Sequence, residues 1–137
     1  MNRQRLSALT LFLLRVVVAV MFFQAGGLKL FGWFGGMPAG VTMTPLIRIG
    51  GVIELIGGVL IALGLFTRPA AFLCSGEMAV AYFHGHFHLP DGFWPIQNHG
   101  ELAVVYSFFF LYLWAHGPGP ISLDARIASG RSGGSPA

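Results

Sequence analysis

Charge is what this sequence has least of: eight Lys and Arg and five Asp and Glu among 137 residues, 9% in all, where a soluble domain carries about 25%. An ordinary water-soluble domain is thereby excluded. The basic residues stand singly and form no patch or stripe, which excludes nucleic-acid binding through a charged face. Cysteine is reduced to one, Cys74, so the chain holds no intramolecular disulfide, no CxxC redox pair and no Cys/His zinc set. Any redox chemistry must be borrowed. Neither GxGxxG ahead of a helix nor GxxxxGK[ST] occurs, so the familiar nucleotide loops are missing as well. Apolar residues make up 55% and aromatics 14%, a composition that no disordered chain has.

What is there is a succession of long apolar runs. The mean hydropathy is +0.71, and the length accommodates at most about four helices of roughly 20 residues plus their connections. The runs predict helices over 6–30, 45–66, 69–88 and 98–116. The first follows Arg3 and Arg5, but its length, Arg15, Gln24 and the lack of an Ala-x-Ala site distinguish it from a cleaved secretion signal. Pro45 suits a first helical turn, and Thr67-Arg68-Pro69 ends one helix and starts the next. Pro90, Asp91-Gly92 and Pro95 mark a loop, and Gly117-Pro118-Gly119-Pro120 closes the fourth helix. The fold class expected is all-α, an integral membrane four-helix bundle in a single domain over 1–127, with a disordered Gly/Ser tail over 128–137. A soluble bundle would need polar outer faces, which these runs do not offer.

Arg3 and Arg5, Arg68, and Arg126 with Arg131 fall at alternate ends of the expected spans. By the excess of Lys and Arg in cytoplasmic segments, both termini face the cytoplasm of a multi-pass membrane protein. Trp33, Phe34, Phe93 and Trp94 fall at the outer boundary, where amphipathic rings settle.

Three ionisable residues interrupt the apolar runs. A charge at the bilayer centre costs about 2.5–3.5 kcal/mol on insertion scales, so each needs a partner or a purpose. At about 1.5 Å per residue, Arg15 lies roughly 12 Å in from the cytoplasmic side, Glu77 a similar distance along the third helix, and Glu54 near the midplane. The three are expected to share a layer. One cation leaves one of two carboxylates without a counterion, so Arg15, Glu54 and Glu77 are read as a proton-handling, catalytic group. Gly50-Gly51, Gly57-Gly58 and Gly64 recur every seven residues around Glu54, a stripe on which another helix can approach closely, and one compatible with a homo-oligomer.

A second polar group is expected nearer the outer face. Lys29, Arg48, His84, His86, His88, His99 and Glu101 form a cup suited to an amphipathic guest, with Arg48, His84, His99 and Glu101 as cofactor-binding residues. His84 and His88 share one face if the helix persists, but HxHxH is not a defined metal motif, and no metal is assigned. A haem held between His84 and His99 is a geometric alternative.

These residues together resemble a family. Phe22-Phe23-Gln24-Ala25-Gly26-Gly27-Leu28-Lys29-Leu30-Phe31-Gly32, then Ile53-Glu54-Leu55-Ile56-Gly57-Gly58, Leu63-Gly64-Leu65-Phe66-Thr67-Arg68, Glu77-Met78-Ala79-Val80-Ala81 with His84, Glu101, and the closing Gly117 to Asp124 look like the DoxX family of four-helix bacterial membrane proteins. The likeness runs from about Leu13 to Asp124. It implies a membrane subunit associated with redox enzymes, quinone as a lipophilic carrier and a partner redox protein. Members often carry His four residues before the Lys of the first motif, where this chain has Ala25. Two other roles fit the same residues: a non-catalytic anchor or assembly factor locked by its polar core, and a proton-coupled carrier of a small solute.

Overall fold

The structure, a computed structural model, describes residues 2–88 and 92–132. Among them every regular element is helical. Helix α1 (Arg3–Phe31) starts on Asn2, whose side chain accepts a hydrogen bond from Arg5 N, and stops at Gly32 with φ +70°. A 3-10 turn at Trp33–Gly35 follows. Helix α2 (Pro45–Leu63) is capped by Thr44, with Pro45 in its first turn.

The end of α2 comes three residues before the expected Phe66. Gly64 turns left-handed at φ +66° and Leu65 N reaches back to Leu60 O at 2.9 Å, the six-to-one closure that terminates helices at glycine. Helix α3 therefore starts at Thr67 rather than Pro69, runs to Val80, and continues as a π-helical turn over Ala81–His86. The helix thus ends before His88, which separates that residue from His84. A short helix α4 (Pro95–Asn98) precedes α5 (Glu101–His116), because His99 takes a left-handed φ of +58° between them. Helix α6 (Leu123–Ser132) occupies the first residues of the expected disordered tail; Pro90, Asp91 and residues 133–137 lie outside the described residues.

Helices α1, α2, α3 and α5 pack around one core in which Ala19, Phe22, Ile61, Ala71, Phe110 and Leu113 are fully enclosed. The glycine pairs of α2 divide between two neighbours. A Cβ on Gly58 would come 2.9 Å from Ala19 O on α1, whereas one on Gly57 would come 2.4 Å from Cys74 Sγ on α3. Each heptad thus admits α1 on one side and α3 on the other, which is how small residues let helix backbones close up. Helices α3 and α5 are clasped reciprocally: Ser75 Oγ donates to Ser107 O at 2.8 Å and Ser107 Oγ to Ser75 O at 3.0 Å. Phe22 packs edge-on against both Tyr106 and Phe110, tying α1 to α5.

The outward faces are apolar. Leu13, Val17, Ile56, Phe72, Val105 and Phe108 are among many large hydrophobics left exposed, far beyond the scattered few of a soluble surface. Among the described residues two helices, α1 and α2, are long and apolar enough to cross a membrane.

Candidate functional site

Four helices each bring one polar side chain toward the same region of the interior. Lys29 leaves the last turn of α1 and its Nζ meets Glu54 Oε1 of α2 at 2.6 Å. The Glu54 side chain is 2% exposed and that of Lys29 20%. Glu77 of α3 comes up beside Gly50, so close that a Cβ there would stand 2.9 Å from its Oε1. Glu54 and Lys29 are the charges that act on Glu77, and Glu54 also acts on Tyr106 of α5. The second oxygens, Glu54 Oε2 and Glu77 Oε2, are buried with no hydrogen-bond partner among the described residues. The centre therefore holds one cation, two carboxylates and two carboxylate oxygens still able to accept a proton or a donor.

The expected grouping of Arg15 with the two acids does not form. Arg15 is 1% exposed, and its Nη2 donates to Ile121 O at 2.7 Å, beside Gly64, where a Cβ would collide with Nη1. The register of the antiparallel pair is the reason. Gly26 meets Gly51 and Ala19 meets Gly58, which brings Arg15 to Gly64 and the base of the Lys29 side chain to Gly51, from where its long stem reaches Glu54 about one turn further along α2. Depth counted from the first apolar residue misled because α1 has 29 residues, roughly 43 Å at 1.5 Å each, and its first turns extend past the end of α2, which Arg15 meets at Gly64.

Arg15 belongs instead to a polar lattice at that end. Asp124, whose charge acts on Arg15, accepts from Phe66 N at 2.8 Å and Thr67 N at 2.9 Å and so caps α3. Its own N–H donates to Gly64 O at 2.8 Å. This is what holds Phe66 at a left-handed φ of +46°. Arg68 then donates to Trp114 O and Ala115 O at 2.8 Å, capping the end of α5.

At the opposite end, Arg48, His84, His99 and Glu101 are all exposed. They share no hydrogen bond or ion pair with one another, and the cup expected from them is not enclosed. His84 borders only a shallow groove with Ala79, Val80 and Phe83. Among the described residues no three His, Cys, Asp or Glu side chains converge as a metal-ligand set. The enclosed polar residues here are ones that sequence reasoning passed over. Asn98 is buried, donates to Tyr82 Oη and Gly92 O, and accepts from Gly100 N. Tyr82 in turn donates to Phe93 O, and His86 Nδ1 lies 3.2 Å from Asn98 O. Tyr106 was passed over too, since an aromatic at helical spacing reads as core; the pairing of Lys29 with Glu54 depends on the reach of the lysine stem, which residue spacing does not show.

An apolar exterior around a sequestered ion pair is the reverse of a soluble protein and defines a membrane protein. The chain belongs to the DoxX family, whose model matches residues 10–87. It is 44% identical over 117 residues to an uncharacterized protein of Haemophilus influenzae, covering 83% of this chain and 87% of the other. An uncharacterized membrane protein of Mycobacterium tuberculosis is 34% identical over 68% of this chain and 60% of its own length. The inner membrane protein YqjF of Escherichia coli is 28% identical over 82% and 88%. No solved structure matches.

Proposed function

We propose that this protein crosses the bacterial inner membrane four times, with both termini cytoplasmic, and serves as the membrane subunit of a redox assembly that passes protons to or from a lipophilic carrier such as a quinone. The observation that carries the reading is the Lys29–Glu54 pair with Glu77 beside it, an intramembrane arrangement too costly to keep for packing alone. Four spans are supported by length. The rod from Thr67 to His86 is 14 residues of α-helix and six of π-helix, and the 16 residues of α5 are apolar. With α1 and α2 these supply four rods with one shared core, and tilt and flanking rings make up the difference to a hydrocarbon thickness of about 30 Å. The names of the relatives from M. tuberculosis and E. coli support the location.

In this reading the carrier's head group approaches from lipid along α2 and α3. Glu77 exchanges protons with it, Glu54 is held ready by Lys29, and Arg48 and His84 at the outward end of the same two helices bind its oxygens. Electrons come from a partner subunit, since the chain offers no redox group of its own beyond Cys74. Purification of the tagged protein from its native membranes in mild detergent tests this directly: a redox-active subunit is expected to come with it, and recovery of the chain alone, free of quinone, contradicts the reading.

The end lattice favours a second role. Arg15, Arg68 and Asp124 tie α1, the α2–α3 turn, the end of α5 and the segment leading into α6 together through carbonyl and amide bonds, as an anchor or assembly factor requires. Under that role Glu54→Gln alters stability and assembly but leaves electron transfer per assembled complex unchanged.

A further inference from the structure

The positive charge of this molecule is gathered at one end. Arg3 and Arg5 begin α1, Arg68 begins α3, and Arg126 and Arg131 lie on α6. Among the described residues the one carboxylate there, Asp124, is engaged by Phe66 N and Thr67 N. All five arginines are at least partly exposed. Between the overhanging start of α1 and the end of α5 runs a groove of about 340 Å³ lined by Arg3, Gln4, Ser7, Ala8, Leu11, His116 and Pro120. Its composition is two-sided. Arg3, Gln4, Ser7 and His116 are hydrogen-bond donors, and Ala8, Leu11 and Pro120 are apolar, with no acid on the lining. His116 is held in place there by stacking on Tyr112 and by a 3.3 Å contact from Nδ1 to Gly117 O.

We infer that this groove binds the head group and upper acyl chain of an anionic phospholipid from the cytoplasmic leaflet. The phosphate would lie between Arg3 and His116, and the chain would run down over Ala8 and Leu11 along α1 toward the apolar faces of the bundle. Charge complementarity selects this occupant, because Arg3 lines the groove with no acid beside it at the end of the molecule where arginines gather, which favours a negative head group over a zwitterionic one, and basic pockets between helices at this level are suited to anionic lipid. Helix α6 adds Arg126 and Arg131 to the same basic end.

The inference rests on the membrane-spanning part of the proposed function and not on its redox part. Whether the chain partitions into membranes is read separately by fractionation, so the two can fail independently. The test is titration of the full-length protein in neutral detergent with a short-chain phosphatidylglycerol, a short-chain phosphatidylcholine and inorganic phosphate, following melting temperature and bound lipid by native mass spectrometry. Phosphatidylglycerol is expected to bind saturably and raise the melting temperature, and the other two are not. Arg3→Gln and His116→Gln should each weaken that binding, with Arg3→Gln costing roughly fivefold as a surface arginine beside anionic lipid does. Ala8→Trp, which fills the groove without changing charge, should abolish it. Equal responses to both lipids, an equal response to phosphate, or unaltered binding by Ala8→Trp and Arg3→Gln protein would overturn the assignment.

Discussion

Lys29 and Glu54 sit 2.6 Å apart with the acid almost wholly enclosed, so removing only the cation strands a buried carboxylate. Breaking such a pair costs about 3–5 kcal/mol, and the partial exposure of Lys29 puts Lys29→Met at the lower end, about 3 kcal/mol. Replacing both, Lys29→Met with Glu54→Leu, should restore most of that stability, as apolar pairs of similar volume do; thermal melts of the two variants in detergent give the comparison. Glu77→Gln is expected to be nearly neutral for folding, because Oε2 has no hydrogen-bond partner to lose among the described residues. At this scale the sequence indicated which charges would be enclosed better than it indicated their partners. Glu54 and Glu77 stand out because acids are scarce in apolar runs, and both do reach one centre. Arg15 stands out equally but belongs to a different layer, since a single residue's depth depends on where its helix starts and that is a property of the pair. Tyr106 and Asn98 carried no signal: each reads as ordinary core or loop until its neighbours are known.

Helices here are placed by their small residues and their ends. Gly58 leaves 2.9 Å between a would-be Cβ and Ala19 O, so Gly58→Ala must push α1 away, at about 1–3 kcal/mol. Gly76 on α3 has open space around it, and Gly76→Ala should hold or gain about 0.5–1 kcal/mol through helix propensity. Opposite signs from two glycine-to-alanine changes, read by denaturation in the same detergent, would verify the packing. Asp124→Ala removes the cap from Phe66 N and Thr67 N and should cost about 1–2 kcal/mol. Apolar length and punctuation by Pro and Gly sufficed to find α1, α2, α3 and α5 within a few residues. They did not reveal the π-helical turn at Ala81–His86 or the helix at Leu123–Ser132. The first depends on how Tyr82, His86 and Asn98 satisfy one another, and the second carries Asp124 in its first turn, a residue whose role emerges only once the α2–α3 turn lies beside it.

The whole molecule is polarised, with a hydrogen-bonded arginine lattice at one end, an exposed set of His, Arg and Glu at the other, and a sequestered Lys29–Glu54–Glu77 centre between them. That division suits a subunit fixed at its cytoplasmic side and chemically active within the bilayer. The proposed topology predicts that reporters fused after Arg131 are cytoplasmic and that one inserted at Gly40, between α1 and α2, is on the far side. The central claim is that the interior acids meet a lipophilic carrier, and the measurement closest to it is saturable binding of a quinol analogue to the protein reconstituted in nanodiscs, wild type against Glu77→Gln. At matched melting temperature, the account predicts that the substitution weakens binding tenfold or more, about 1.4 kcal/mol or above. Identical isotherms for the two proteins would contradict it.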